Sequence, residues 1–269
     1  MRLLVLTLQR LAILGLGAFS IWLIVYVFGW VDRELPSILA LSLTYGVAAY
    51  VILPYAVRMG LKILRHRHVP RFTVTGDGLP GDPVNLVLIG TFDELRAAFA
   101  KIGWPEADPL SLKSSWRMVQ SFVFNQPYPT APFSTLYLFG RGQDIGFQLP
   151  IGGSPRKRHH VRFWSKRLTP AESVDAAFWH DPERPALGER VLWVGAGTKD
   201  TGLSLTRLTF QMTHATDSDT NAERDFVMAS LRDAGLISDL MVYEAGDRLK
   251  AEKVNHYVTD GDVAVAKLR

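Results

Sequence analysis

LAILGLGAFSIWLIVYVFGWV at 11–31 and LPSILALSLTYGVAAYVILPYAV at 35–57 decide how this chain is built. The first run has 21 residues and the second 23, neither holds a charge, and Asp32, Arg33 and Glu34 separate them. A bilayer's hydrocarbon core is about 30 Å thick and takes about 20 helical residues to cross. Each run is long enough, and the short link allows only a tight helical hairpin. A cleaved signal peptide would need a shorter apolar core and a small-residue site before Asp32. Neither span holds Asp, Glu, Lys, Arg or His, which argues against an ion or proton pathway through them. Gly15, Gly17, Ala18, Gly46, Ala48 and Ala49 are expected to let the two helices approach closely. Pro36 suits a first helical turn, and Pro54 is expected to kink the second span.

Charge clusters around the hairpin. Residues 1–83 carry eight of the 30 Lys/Arg and four of the 26 Asp/Glu, so 84–269 holds 22 of each and is formally neutral. A nucleic-acid-binding domain would be basic in its own right, so no nucleic acid is expected as partner. Arg58, Lys62, Arg65, Arg67 and Arg71 crowd the exit of the second span, Arg2 and Arg10 the start of the first. By the positive-inside rule both termini face the cytoplasm. The same basic collar is a candidate site for anionic headgroups.

The organisation expected is a transmembrane hairpin over 1–57 (spans 11–31 and 35–57), a basic juxtamembrane segment and linker over 58–83, and one soluble domain over 84–269. The last is long enough for its own core. There is no cysteine, which excludes disulfides and thiolate metal sites.

Within the domain, Asn85–Gly90 reads as a buried strand. Thr91 and Glu94 form a capping box for a helix over Phe92–Ile102. A second helix starts at Asp108 or Ser111 and runs to about Phe124. Thr135–Phe139 and Ile145–Leu149 read as a hairpin across Gly140–Asp144. Arg158–Ser165, Val191–Ala196, Thr206–His214 and Leu240–Glu244 read as strands. Thr220–Asp233 reads as a helix with Thr220 and Glu223 as its capping box. Asp260-Gly261 is a hairpin signal between Tyr257–Thr259 and Val263–Leu268. Few helices and many hairpin-linked strands give an α+β fold: a two-helix transmembrane hairpin, then one soluble domain with a largely antiparallel sheet and a few helices.

Three stretches could carry chemistry. In 156–167, strand alternation turns Arg158, His160, Arg162 and Trp164 one way and His159, Val161 and Phe163 the other. Arg158 and Arg162 are candidate anion contacts, because guanidinium offers a planar fork. The competing reading is a solvated strand face, with His159 in the core. In 214–225, His214 ends an apolar strand face, and Asp217 and Asp219 precede a helix. His214, Asp217 and Asp219 are a candidate divalent-metal set, and Arg224 a further anion contact. Capping of the helix is the competing role for the aspartates. In 195–202, a glycine-rich run lacks Walker A spacing and reads as a strand-end turn, with Asp200 a candidate site member. His159, His160, His214, Asp217 and Asp200 are the candidate catalytic set. If neighbouring strands carry them, His159 and His214 would share one pocket.

At these residues the chain resembles the LssY C-terminal domain family. The resemblance rests on Pro127-Tyr-Pro-Thr-Ala-Pro132, Leu136-Tyr-Leu-Phe-Gly-Arg141, Gln143-Asp-Ile-Gly-Phe147, Arg158-His-His-Val-Arg-Phe-Trp164, Trp193-Val-Gly-Ala-Gly-Thr198 with Asp200, and Thr213-His214 with Asp217 through Phe226. It covers about 84–245. It implies a bacterial inner-membrane protein, and it supplies no established reaction or catalytic residues. Family members often carry this domain beside membrane phosphatase or DedA-type regions, and here two spans stand in their place. Two functions are therefore expected to compete. One is a membrane-anchored binding or accessory domain at the cytoplasmic face, acting on an anionic headgroup or an envelope protein. The other is a phosphate-ester hydrolase, metal-assisted or not, built on the His/Asp cluster and its arginines.

Overall fold

The computed structural model describes residues 2–64, 72–153, 156–167, 184, 186, 188–206, 209–210, 212–244, 249–250 and 257–269. Arg65, Arg67 and Arg71 of the basic collar, and the side chain of Lys62, lie outside what is described. The chain divides into two compact units.

The first unit holds 1–68 with two short pieces, 76–79 and 204–213. Helix α1 (Arg2–Val31) is followed by a turn closed by Glu34 and Leu35 amides on the Val31 carbonyl, then by α2 (Ser37–Val47). Two segments, Arg10–Val31 and Ser37–Gly60, are long and apolar enough to cross a membrane. A π-helical turn over Ala48–Ile52 joins α2 to α3 (Leu53–Leu64). Pro54 has no N–H and its ring would crowd the carbonyl four residues back, and the wider turn just before it makes room.

Helix α1 packs against α2 and α3, and Ala40 and Ala49 are buried. Gly15, Gly17 and Gly46 do not serve the close approach expected of them, since a Cβ at each would meet nothing within 4 Å. Leu14, Trp22, Val25, Trp30, Ile38 and Leu41 point outward. Arg58 of the collar is exposed, its guanidinium 5.7 Å from the Tyr55 ring. In the same unit the Tyr45 hydroxyl donates to the Phe210 carbonyl at 2.7 Å, and Thr209 is buried with its hydroxyl 3.3 Å from Asp77.

The second unit is α+β. A seven-stranded sheet has β10 (Ile237–Glu244), β13 (Asp262–Leu268), β3 (Leu86–Gly90), β8 (Val191–Leu205), β7 (Arg158–Lys166) and β6 (Ile145–Pro150) in that order, and β9 (Met212–Thr216) also pairs with β8. Along that order the pairs are antiparallel except β13–β3. A small sheet orders β2 (Pro80–Pro83), β1 (Phe72–Thr75), β4 (Leu136–Leu138) and β5 (Arg141–Gly142). Strands β1 and β2 thus come from the stretch expected as linker. A short ribbon pairs β11 (Leu249–Lys250) with β12 (Val258–Thr259).

One face of the large sheet carries α4 (Phe92–Lys101) and α6 (Thr220–Asp233), whose Leu95, Phe99, Val227 and Leu231 pack on Leu86, Phe147, Val161 and Phe163. The other face packs Trp164, Val194 and Ala196 against Leu136 and Leu138 of the small sheet and Phe139 in the turn after β4. The Thr91–Glu94 capping box of α4 forms as expected. That of α6 does not: Asp219 is the N-cap and accepts from the Ala222 amide, because Glu223 is drawn inward to His159.

Three further expectations are corrected. Strand β8 runs straight through the glycine-rich 195–202 and makes no turn there. A Cβ at Gly195 would sit 2.4 Å from Leu86 Cδ1 and 2.7 Å from Phe163 Cε1, so Gly195 admits neighbouring side chains. Strands β4 and β6 do not pair with each other but belong to different sheets. The chain does turn at Asp260-Gly261, where Gly261 has φ +82°, but β12 and β13 also part into different sheets.

Candidate functional site

Helix α5 (Leu112–Val123) and the loop after it lead to Phe133, which lies over a polar cluster on one face of β6, β7 and β8. The register builds that face. Arg158 stands opposite Asp200, His160 opposite both Thr198 and Gln148, and Arg162 opposite Ala196. Alternation brings all these side chains to one side of the sheet. Asp82 of β2 and Tyr257, just before β12, complete the group.

Each charge meets its opposite. Arg158 donates from Nε to Asp200 Oδ2 at 2.9 Å and from Nη1 to Gln148 Oε1 at 2.6 Å. Gln148 donates in turn to the Ala131 carbonyl at 2.8 Å. Arg162 donates to Asp82, whose other oxygen accepts from the Tyr257 hydroxyl at 2.8 Å. His160 links the two pairs. Its Nε2 lies 2.8 Å from Arg162 Nη1 and 2.8 Å from Thr198 Oγ1, and its Nδ1 lies 3.5 Å from Asp200. A guanidinium can only donate, so Nε2 accepts from it and the ring proton is assigned to Nδ1, which makes no hydrogen bond to Asp200.

The cluster is sealed. Arg158, His160, Arg162, Asp200, Thr198 and Gln148 are all buried. The Phe133 ring sits 4.9 and 4.8 Å from the guanidinium carbons of Arg158 and Arg162, and 5.3 Å from the His160 ring. A cation over an aromatic face is attracted by the ring quadrupole. Gly146 makes room for Phe133, since a Cβ there would meet Phe133 Cε2 at 2.3 Å.

Burial and pairing oppose each other in the ionisation of these groups. Burial works against the Asp82 charge, but Arg162, His160 and Tyr257 outweigh it and hold the carboxyl at about 2. Asp200 is likewise held below the carboxylate range, as His160, Arg158 and His214 outweigh its burial. Burial also pushes Arg158 down, against the pull of Asp200. Burial, with Asp82 beside it, pushes Tyr257 well up. His214 lies at the edge, with Nδ1 3.9 Å from Asp200 and its ring 5.3 Å from Phe122. Burial pushes it down to about 4, so it is neutral at pH 7.

Of the residues nominated from sequence, the structure brings Arg158, His160, Arg162, Asp200 and His214 together. The Arg158–His160–Arg162 face is buried, where a solvated face was the competing expectation. His159 is on the opposite face of the sheet, bonded to Glu223 at 2.8 Å and 4.4 Å from the Phe226 ring. It shares no pocket with His214. Asp217 lies 3.8 Å from Lys199 and accepts from the Asp219 amide, while Asp219 caps α6. Arg224 is paired with Asp260 and Asp225. Among the described residues no three His, Asp or Glu side chains come together to hold a metal ion.

Asp82, Tyr257, Thr198, Gln148 and Phe133 were not singled out from sequence. Thr198 was reachable, because continuing the β8 alternation from Val194 places it beside Asp200. Asp82 and Tyr257 lie far along the chain from β7, and nothing local marks them. Two surface grooves, of about 580 and 450 Å³, are lined by other residues: Arg96, Trp104 and Glu106 in the first, Lys113, Trp116 and Arg117 in the second.

A family model described as LssY C-terminus matches residues 66–263. That range reaches beyond 84–245 at both ends and takes in β1 and β2. No curated protein matches the chain. No solved structure matches it either.

Proposed function

From the premise that the chain belongs to the LssY C-terminus family, we propose that it is a membrane-anchored domain that binds rather than catalyses. It works at the cytoplasmic face of a bacterial inner membrane, with an anionic headgroup or an envelope protein as partner. One observation carries this. The arginines that would hold a substrate anion are buried and already paired with Asp200 and Asp82. A substrate phosphate would have to displace a carboxylate from each and lift Phe133. The cluster therefore acts as a polar keystone that fixes the β6–β7–β8 face against the small sheet. The anchor rests on two apolar helices whose large side chains face outward. The orientation rests on the basic collar.

The second reading, a phosphate-ester hydrolase, has its own observation in favour. His160 Nδ1, Arg162 Nε and His214 Nε2 are buried with no hydrogen-bond partner among the described residues. A small polar ligand admitted beneath Phe133 would satisfy them. Hydrolysis of p-nitrophenyl phosphate and phosphatidic acid by the purified full chain, with Mg²⁺, Mn²⁺ or Zn²⁺, separates the two. Binding predicts no turnover above buffer. Turnover that His160→Asn abolishes while the unfolding curve is unchanged would establish the hydrolase. For orientation, a C-terminal alkaline phosphatase fusion should be inactive and a green fluorescent protein fusion bright.

A further inference from the structure

We propose that α5 lies in the lipid–water interface of the bilayer that holds the hairpin, as an amphipathic helix bound to anionic lipid. This rests on the membrane-anchored reading above and names a surface for it.

Helix α5 is turned inside out for a water-facing element. Leu112, Trp116, Val119 and Val123 recur at i, i+4, i+7 and i+11, which places them on one stripe. That stripe faces away from the protein: Leu112 is 93% exposed, Trp116 65%, Val119 50% and Val123 66%. Leu110 and Phe124 extend it at either end. The face packed inward carries Ser114 and Ser121, whose hydroxyls bond the Pro109 and Gln126 carbonyls. Both ends are fixed. Ser111 and Ser114 form a capping box, and Arg156 donates to the Phe122 carbonyl. The exposure is thus a property of an ordered helix.

Charge identifies the occupant. Lys113 and Arg117 flank the apolar stripe, both exposed, and with Trp116 and Tyr128 they line the 450 Å³ groove. No acidic residue occurs between Asp108 and Asp144. Asp108 itself accepts from the Tyr128 hydroxyl at 2.6 Å. An apolar stripe with Trp and a basic flank fits the acyl–headgroup boundary of an anionic membrane, where the stripe meets acyl chains and the cations meet phosphates. The chain's own helices keep such a membrane within reach by covalent attachment.

The absence of native cysteine makes the test direct. Single cysteines at Val119 or Val123, at Leu41 in the second span and at exposed Asp233 would carry an environment-sensitive fluorophore. The full chain would be reconstituted in phosphatidylcholine vesicles, with or without phosphatidylglycerol, containing lipids with quencher-bearing acyl chains. In phosphatidylglycerol vesicles the 119 and 123 labels should be quenched nearly as strongly as the 41 label and several-fold more than the 233 label. Leu112→Asp with Trp116→Asp alters two exposed positions and should return the 123 label to the 233 level. Quenching at 41 with none at 119 or 123 overturns the proposal and leaves the anchor standing. No quenching at 41 overturns the anchor and the proposal with it. Labels at 119 and 123 shielded from water but untouched by lipid quencher also overturn it, and point to a protein on this face.

Discussion

Arg158 and Asp200 stand directly opposite each other on β7 and β8, joined at 2.9 Å and both withdrawn from solvent. Such a pair offers little net stability over apolar residues of the same size, yet breaking it strands a buried charge. Asp200→Asn should therefore destabilise the full chain by about 3–5 kcal/mol. Arg158→Met combined with Asp200→Leu should cost clearly less than the two single changes together. Denaturant unfolding in detergent, followed by tryptophan fluorescence, reads both.

The acid side of the stability profile should have two steps. His214 is held at about 4, against 6.5 when unfolded, so the unfolded chain takes up its proton first. Its contribution is intact above about pH 6.5 and is lost as pH falls from there toward 4, by about 3 kcal/mol at most. Asp82, held at about 2 against 3.8, adds a second loss between those values, of about 2 kcal/mol. The groups facing His214 are Asp200, Arg158, His160 and Arg162. His214→Phe should flatten the upper step and leave the lower one. A stability series from pH 7 to pH 2 in wild type and variant tests this.

What could be read from the sequence was local. The hairpin follows from length and lack of charge, α4 from the Thr91–Glu94 box, and the two faces of β7 from alternation alone. What escaped was non-local. Arg158 and Arg162 suggest a solvated face unless carboxylates are known to cover them. One of those, Asp82, sits in a Gly/Pro-rich stretch that resembles a linker. Gly195 and Gly197 suggested a turn because glycine usually marks one. Their role is set by Leu86, more than 100 residues earlier in the chain. Glu223 looked like a capping residue, and only packing against β7 reveals His159 as its partner.

The strand character of 195–202 can be tested by its glycines. Gly195→Ala forces a Cβ between Leu86 and Phe163, both fully buried, and overpacking of this kind costs about 1–3 kcal/mol. At Gly202 in the same run a Cβ meets nothing within 4 Å. Gly202→Ala should stay within about 0.5 kcal/mol of wild type or stabilise slightly. A turn over 195–202 would make both changes similar, so equal unfolding midpoints would contradict the strand.

Phe133 should control access to the cluster, and Gly146 controls Phe133. The added methyl of Gly146→Ala has to push the ring off Arg158 and Arg162, because the atoms it meets lie at 2.3 and 2.8 Å and the Val161 carbonyl lies behind at 3.3 Å. The cost should again be about 1–3 kcal/mol. Phe133→Ala removes the cover outright, with a loss of about 3–5 kcal/mol in line with large-to-small core changes. Both variants should let water reach the side chains of His160 and Arg162, which wild type keeps buried. Diethyl pyrocarbonate labelling followed by mass spectrometry reads that opening at His160. It should be slow in wild type and markedly faster in either variant under conditions where each remains folded. Equal labelling in all three would show that Phe133 does not control access to His160.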